Sequence, residues 1–242
     1  LHVFRIPGTE GYDPLPLRRY GELITAASKG NLGKPTVLTV YLDKNGEFTY
    51  PILNLLGVKY LLHAKEDGRN VWTFPYWQHP DDFELLWQDE KYEVYLNKKA
   101  LPRSFLAYDY QVANENQEII NLMLATETDL SQTIILEEEP QITIEPCSHE
   151  TIEDSLEIIR YTPNQIEMSV DSSCNNLLFL SDNFYSGWRA LVDGQSQPIM
   201  RANYSFRAIP VPSGEHQVSF VYRPFSFRIG LMASAMALVL LL

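Results

Sequence analysis

The chain has 242 residues, of which 45% are hydrophobic and 12% aromatic, and its formal net charge at pH 7 is -12. This composition excludes a disordered chain, because it supplies enough apolar material for a core, and the length allows one large or two small domains. The acidic charge excludes a surface that tracks nucleic-acid phosphates, since such a surface needs a basic stripe. Nucleic acid is therefore not expected as a partner.

Residues 1–140 mix helical and strand patterns. Asp13 and Pro14 suit the N-cap and the first position of a helix that Gly30 would end. The following segments are predicted, in order, as a strand (36–42), a short helix (51–56), a strand (59–63), a hairpin (84–87 and 92–96), a strand (105–112) and a helix capped by Asn114 (115–124). The mixture predicts a mixed α/β domain over residues 1–140.

A run of like charges marks the end of this domain. Glu137, Glu138 and Glu139 repel one another, and Pro140 interrupts regular structure. Short apolar runs then recur about every 8 to 12 residues with turn residues between them, a spacing typical of a β-sandwich. We predict an antiparallel β-sandwich over residues 141–224.

The last three runs of this domain are 188–192, 206–211 and 217–222. They are separated by Asp193-Gly194 and Ser213-Gly214, residue pairs that tolerate the positive φ of tight turns. Polar and apolar residues alternate along 217–222, which is the period of a strand with one buried face. We predict that the three runs form one antiparallel unit.

The end of the chain is apolar. Residues 229–242 are all apolar or small, about 14 in a row, whereas a membrane-spanning helix needs roughly 20. We predict that residues 225–242 are the start of a transmembrane helix, with Arg223 and Arg228 among the lipid head groups. A buried core helix is the alternative, but it would lack a polar face. The predicted fold class is α+β, ending in a truncated transmembrane helix.

Two cysteines, Cys147 and Cys174, are too few for a disulfide scaffold and lack the spacing of a zinc site. Either they pair, which requires an oxidising compartment and Cα atoms within about 7 Å, or they are two thiols. No histidine pair has metal-binding spacing, and no nucleophile elbow, phosphate loop or dinucleotide fingerprint occurs. No metal, cofactor or catalytic residue is therefore predicted.

Six short motifs occur in a fixed order along the chain. They are Gly11–Leu15, Asn54–Leu62, Leu101–Phe105, Tyr185–Gly194, Arg201–Ala208 and Pro212–Pro224. With the apolar tail directly after them, they resemble the C-terminal end of the YfhO-type bacterial membrane proteins. Those are polytopic proteins related to the GT-C class of lipid-sugar-dependent glycosyltransferases.

The resemblance implies a location at the cell membrane, with the soluble part on the extracytoplasmic face and membrane lipid as a partner of the C-terminal helix. No secretory signal is visible at residue 1. Either a signal was removed or upstream membrane helices precede this sequence, and the resemblance favours the second. In GT-C-like enzymes the catalytic carboxylate lies on a loop between early membrane helices, so no catalytic residue can be assigned in this sequence.

If this region contacts a sugar, five residues are best suited to do so: Tyr185, Trp188, Arg189, Asn203 and Tyr204. Aromatic rings pack against the C–H face of a pyranose, while arginine and asparagine supply the polar groups that fix its orientation. The alternative is that Trp188 belongs to the core and that Tyr185 and Tyr204 only shape loops.

Three functions remain open from the sequence. The favoured one is an extracytoplasmic domain that assists glycosyl transfer from a lipid-linked sugar to a cell-envelope or lipid acceptor. The second is a membrane-anchored glycan-binding or scaffold module with no catalytic role. The third is a hydrolase, which would need two facing carboxylates and for which Asp81, Asp82 and Asp182 are candidates. The sequence names neither the donor, the acceptor nor the oligomeric state.

Overall fold

A computed structural model describes residues 8–9, 11–12, 17–34, 39–66, 73–144 and 154–241. The strands are β1 (Gly11–Tyr12), β2 (Thr39–Val40), β3 (Tyr60–Ala64), β4 (Phe83–Gln88), β5 (Tyr92–Asn97), β6 (Ser104–Ala107), β7 (Asp109–Val112), β8 (Thr133–Leu136), β9 (Ser155–Thr162), β10 (Gln165–Ser172), β11 (Asn176–Leu180), β12 (Trp188–Val192), β13 (Gln195–Gln197), β14 (Met200–Ala202), β15 (Phe206–Val211) and β16 (Gly214–Tyr222). The helices are α1 (Arg18–Lys29), α2 (Thr49–Leu55), α3 (Asn116–Leu124) and α4 (Phe225–Leu241), with a 3-10 turn at Tyr76–Gln78.

Two large sheets pack face to face. The five-stranded sheet has the order β13-β12-β16-β10-β9, and the six-stranded sheet has the order β6-β11-β15-β14-β8-β7. Neighbouring strands are antiparallel, except for β7 and β8, which run parallel. Met168 and Phe220 of the first sheet and Leu178 and Ile209 of the second are fully buried in one apolar cluster. The predicted combination of helices with mostly antiparallel sheets is confirmed.

The six-stranded sheet is covered on both faces. Every residue of β11 and β15 is buried. Leu177 and Phe179 belong to a second apolar cluster, which also contains Leu23 of α1 and Ile120 of α3. Helices therefore form a third layer, on the side of the six-stranded sheet opposite the five-stranded one. Because both faces of its central strands are buried, these strands read as nearly continuous apolar runs.

The three runs that were predicted as one unit belong to two sheets. β12 and β16 pair with each other in the five-stranded sheet, whereas β15 pairs with β11 and β14 in the six-stranded sheet. The physical reason is visible in the burial patterns, since β16 alternates between buried and less buried positions while β15 is buried throughout. A strand without a solvent face needs cover on both sides, which the middle layer provides.

The six-stranded sheet also joins the two halves of the chain. Its strands β6, β7 and β8 precede residue 140, and β11, β14 and β15 follow it. β6 pairs with β11, and β8 pairs with β14. The predicted division into residues 1–140 and 141–224 stays a prediction, and such a division would pass through a hydrogen-bonded sheet.

A smaller sheet, with the order β3-β5-β4, packs on α2. The predicted hairpin is confirmed as β4 and β5, which are antiparallel with a bulge between Leu85 and Trp87. Leu53 of α2, Leu61 of β3 and Phe83 of β4 are buried in the cluster between them. Trp87 is 53% exposed, so part of the outer face of this sheet is apolar surface.

The ends of two helices can be compared with the predicted caps. α1 ends at Gly30, whose φ of 71° is the left-handed conformation that glycine adopts readily, as predicted. Asp13 and Pro14 lie outside the described residues, and the N-cap position of α1 is Leu17. The predicted cap Asn114 of α3 is wrong, because Glu115 has the extended conformation of the N-cap residue and the helix begins after it.

Helix α4 follows β16 after Arg223 and Pro224 and is exposed along its length. Leu231 and Leu240 are 62% and 86% exposed, so the alternative of a buried core helix is wrong. Its 17 residues extend about 26 Å, against about 30 Å for the hydrocarbon core of a bilayer. In the part of the chain that the structure describes, no helix has the length and hydropathy that a membrane crossing requires.

Candidate functional site

A surface pocket of about 350 Å³ brings together three of the five residues predicted to contact sugar. Tyr185, Trp188 and Arg189 line it, opposite Gln197 and Ile199. Its volume falls at the lower end of the range of small-molecule sites, about 300 to 1,000 Å³. With Phe184 and Arg207, which also line it, the pocket offers three aromatic rings, two arginines and an amide to a ligand of the size of a small sugar.

Trp188 belongs both to the pocket and to the core. It is half-buried and packs against the apolar cluster between the two large sheets. The centroids of the Trp188 and Tyr222 rings are 5.4 Å apart, and those of Tyr185 and Tyr222 are 6.4 Å apart. Tyr185 is 48% exposed. The two readings of Trp188, core residue and ligand contact, are thus compatible.

Gly187 positions the two aromatic residues on either side of it. Its φ is 104°, and a Cβ atom at this position would lie 3.0 Å from the Tyr222 ring and 3.1 Å from Pro224 Cα. The Arg223 N–H donates to the Gly187 carbonyl at 2.7 Å. Only glycine combines this backbone conformation with so close an approach. The pocket consequently lies beside the residues that lead into α4.

Arg207 forms the buried end of the pocket wall. Only 2% of its side chain is exposed, and its Nη2 atom donates to Asp182 Oδ2 at 3.0 Å. Asp182 also accepts hydrogen bonds from Arg103 Nη1 at 3.0 Å and from the Tyr161 hydroxyl at 2.9 Å. Burial lowers the pKa of Arg207 below its ordinary value, and the charge of Asp182 opposes this effect.

Two donor atoms of Arg207 remain without an acceptor. Nε and Nη1 are buried, and neither has a hydrogen-bond partner among the residues that the structure describes. The guanidinium carbon is 4.1 Å from the centroid of the Trp188 ring and 5.3 Å from that of Phe220, so the side chain is held by aromatic contacts. Buried nitrogen donors are nearly always paired in proteins, which makes this arrangement unusual.

Asn203 and Tyr204, the other two predicted residues, do not line the pocket. Asn203 is fully buried, with a φ of 43°, and its Oδ1 atom accepts from the Ile135 N–H at 2.9 Å. Tyr204 is 1% exposed and donates from its hydroxyl to Glu22 Oε2 at 2.6 Å. Burial, reinforced by the hydrogen bond to Glu22, raises the pKa of Tyr204 well above its usual range. Both residues fix the turn between β14 and β15.

Comparison with known proteins identifies the region that contains the pocket. Residues 138–234 match the family described as "Bacterial membrane protein YfhO". We call residues 138–234 the YfhO-type region, after the family to which they are similar. The chain is also similar to "Uncharacterized protein YfhO" of Bacillus subtilis (strain 168), with 23% identity over 121 residues, which are 50% of this chain and 14% of that protein. The chain thus spans a small part of that relative, and no solved structure matches it.

The YfhO-type region includes every residue of the pocket, and the predicted resemblance is confirmed there. Arg207 was missed in the sequence. Its signal is a lone charge within the apolar run Phe206–Val211, every residue of which is buried. A charged residue inside such a strand is costly unless it is paired, so it indicates a partner or a ligand.

Cys174 also lies in the YfhO-type region and is disulfide-bonded, whereas Cys147 lies outside the described residues. The alternative of two thiols is therefore wrong for Cys174. The hydrolase candidate Asp182 is bound by two arginines, and Asp82 accepts from the Tyr50 hydroxyl at 2.6 Å. Within the described ranges, no group of three or more His, Cys, Asp or Glu side chains is arranged to hold a metal ion.

A second pocket, of about 320 Å³, lies outside the YfhO-type region. It is formed by the turn at residues 44–47, α2 and the segment before β4. Tyr50 stacks on His79 with ring centroids 3.9 Å apart. This pocket was not predicted from the sequence, because its walls come from segments about 30 residues apart whose packing is not visible in local patterns.

Proposed function

We propose that this chain is the extracytoplasmic part of a membrane protein and assists glycosyl transfer from a lipid-linked sugar to a cell-envelope or lipid acceptor. The observation that carries the proposal is the pocket of the YfhO-type region, in which Tyr185 and Trp188 lie beside Arg189. Aromatic rings next to a few fixed polar groups are the arrangement by which proteins hold sugars.

Three observations support a membrane-bound, extracytoplasmic setting. The matching family is described as a bacterial membrane protein, and α4 carries exposed apolar side chains that lipid would cover. The disulfide of Cys174 is typical of an oxidising compartment outside the cytoplasm. Because the Gly187 carbonyl accepts from the N–H of Arg223, two residues before α4 begins, the pocket would open near the lipid surface, where the head group of a lipid-linked sugar lies.

A second candidate is a membrane-anchored glycan-binding module with no catalytic role. The same pocket supports it, because an aromatic wall with an arginine binds a sugar without changing it. The two candidates differ in one respect only. The first requires that ligand binding at the pocket contributes to transfer by the whole protein.

Binding is tested by titrating the 242-residue chain, held in detergent micelles, with envelope oligosaccharides and short-chain analogues of lipid-linked sugars. We expect saturable NMR shifts in the chain that Trp188→Ala abolishes. Trp87→Ala is the matched control, because Trp87 is 53% exposed on β4 and does not line the pocket. Near-UV circular dichroism verifies the fold of both variants. Absence of saturable binding, or equal losses in both variants, would contradict the proposal.

The two candidates are separated in membranes that contain the whole protein, with a radiolabelled lipid-linked sugar as donor. Assisted transfer predicts that Trp188→Ala lowers the rate of sugar incorporation, while Trp87→Ala leaves it unchanged. A glycan-binding module without catalytic role predicts that both variants incorporate sugar at the rate of the unmodified protein.

A further inference from the structure

We infer that the pocket of the YfhO-type region accepts an oxyanion, a carboxylate or phosphate carried by the sugar, and that the Arg207 guanidinium binds it. This inference rests on the proposed sugar recognition at the same pocket. It adds the class of ligand, an acidic rather than a neutral sugar, and a residue that was not among the five predicted to contact sugar.

Arg207 has hydrogen-bond donors that the described residues do not use. Its Nη2 atom is bound to Asp182, while Nε and Nη1 are buried and have no acceptor within the described ranges. Asn203 Nδ2 also has no acceptor among the described residues, but Asn203 does not line this pocket. Arg207 does. Each of these two N–H groups lies on an edge that it shares with Nη2, so each can donate to one oxygen of a carboxylate or phosphate beside the bond to Asp182.

The arginines in and beside the pocket carry more positive charge than Asp182 balances. Arg103 and Arg207 share the single carboxylate of Asp182, with N···O distances of 3.0 Å for each pair. Arg189 adds a further positive charge at the wall, and the described residues that line the pocket include no acidic side chain. The site is therefore positive within a chain whose net charge is -12, and a bound anion would complete its charge balance.

The Arg207 side chain is held in one position by its neighbours. The Trp188 and Phe220 rings lie 4.1 and 5.3 Å from the guanidinium carbon, and Asp182 fixes one edge. A side chain held in this way loses little conformational entropy when it binds, so its donors are already placed for a ligand. Arg189, by contrast, is exposed and must be ordered on binding.

The test observes Arg207 directly in the full 242-residue chain, labelled with ¹⁵N-arginine and held in detergent micelles. The probes are methyl glucuronide, glucose 6-phosphate, methyl glucoside as the neutral match, and inorganic phosphate. The Arg207 Nε–Hε resonance is assigned by its disappearance in Arg207→Lys. We expect it to shift saturably with the two acidic sugars, which should bind at least about tenfold more tightly than methyl glucoside.

Arg207→Met should remove this preference, whereas Arg103→Met should keep it. Arg103→Met is the matched control because it removes an ion pair with Asp182 of the same length, 3.0 Å, at a residue that does not line the pocket. If Arg207→Met does not fold, the resonance of the unmodified chain still decides. An Arg207 resonance that no probe moves, as a permanently bound water would give, overturns the inference.

The outcomes separate this inference from the proposed function. Saturable binding of methyl glucoside with no preference for the acidic sugars keeps sugar recognition and overturns the oxyanion site. Inorganic phosphate that binds as tightly as glucose 6-phosphate supports the oxyanion site and contradicts sugar recognition. A preference for glucuronide over glucose 6-phosphate identifies the carboxylate as the anion, and the reverse preference identifies the phosphate.

Discussion

Arg19 contacts the turn between β14 and β15, and Arg207 lies in β15 shortly after that turn. The two arginines differ in how many hydrogen-bond acceptors the described residues give them. Arg19 is 26% exposed and donates to Glu137, to the Tyr204 carbonyl at 3.1 Å and to Asn116 Oδ1 at 3.0 Å. It also lies over the Tyr204 ring, 4.8 Å from the centroid. Its donors are used within the chain.

Arg207 is the more buried of the two and has fewer acceptors. Two of its three nitrogen atoms are without a partner in the described part of the chain, although only 2% of its side chain is exposed. A cation that only stabilises the fold is expected to have the partners that Arg19 has, because an unpaired buried donor is destabilising. The proposed oxyanion site would account for this difference.

The largest effect is expected when Arg207 loses Asp182, its acidic partner within the described ranges. Asp182→Asn should lower the free energy of unfolding by about 3–5 kcal/mol, because it leaves a buried cation without its pair. Glu137→Gln is the control and should cost about 1 kcal/mol, because Glu137 is 29% exposed and Arg19 keeps two other acceptors. Urea unfolding followed by tryptophan fluorescence measures both. Equal losses would mean that the two arginines are held alike.

The pocket side of the comparison depends on Gly187. Gly187→Ala should cost about 2–4 kcal/mol, because it combines a strained φ of 104° with contacts of 3.0 and 3.1 Å to Tyr222 and Pro224. Gly194→Ala is the matched control, since its φ is also positive, 80°, but nothing lies within 4 Å of the new Cβ. It should cost about 1 kcal/mol. Thermal unfolding of the two variants isolates the close approach beside α4, and a control loss as large as that of Gly187→Ala would contradict it.

The Arg19 side of the comparison is tested at Tyr204. Tyr204→Phe should destabilise the fold by about 1–3 kcal/mol, because the largely buried carboxylate of Glu22 loses the hydroxyl that lies 2.6 Å away. Tyr185→Phe, at a position that is 48% exposed, should change stability by less than about 0.5 kcal/mol. The sugar titration should be unaffected by Tyr204→Phe. A loss of sugar binding in a folded Tyr204→Phe variant would return Tyr204 to the binding site.

The five residues that were predicted to contact sugar show what the sequence could and could not predict. Tyr185 and Trp188 were predicted to contact the same ligand and line one pocket, and they are only three residues apart in the chain. Asn203 and Tyr204 belong to an equally local motif, but the direction of their turn depends on Ile135 and Glu22, which are distant in the chain. For the same reason β15 could not be assigned to its sheet, since strand partners are chosen by packing and not by local pattern.

Arg207 could not have been identified as a binding residue from the sequence. The observation that suggests binding is that two of its buried donors lack acceptors among the described residues, and this depends on the folded structure. The Arg207 guanidinium contacts Asp182, Trp188 and Phe220, which come from three separate segments of the chain. Only the folded structure shows that Nε and Nη1 find no acceptor among the described residues. What the sequence offered was weaker, a lone charge in an apolar run. Such charges deserve a search for a partner whenever the strand is predicted to be buried.

The smallest expected effect concerns Tyr161, which shares the carboxylate of Asp182 with Arg207. Burial, reinforced by the negative charge of Asp182, raises the pKa of Tyr161 from 10.0 to about 12. The folded state then holds the proton more tightly than the unfolded state, so this contribution is complete below pH 10 and is lost as the pH rises from 10 to 12. Tyr161 is 47% exposed, and screening by water keeps the effect small.

Tyr161→Phe should therefore flatten, in part, the fall of unfolding free energy between pH 10 and 12, measured by urea unfolding at each pH. Tyr108→Phe should flatten it similarly, since burial and Asp154 raise the pKa of Tyr108 to about 12 as well. The two variants differ at the pocket. If Asp182 orders Arg207 for an oxyanion, Tyr161→Phe leaves Asp182 one donor fewer and should tighten its bond to Arg207, shifting the Arg207 Nε–Hε resonance. Tyr108→Phe should not move that resonance, and identical spectra of the two variants would mean that Asp182 does not couple Tyr161 to Arg207.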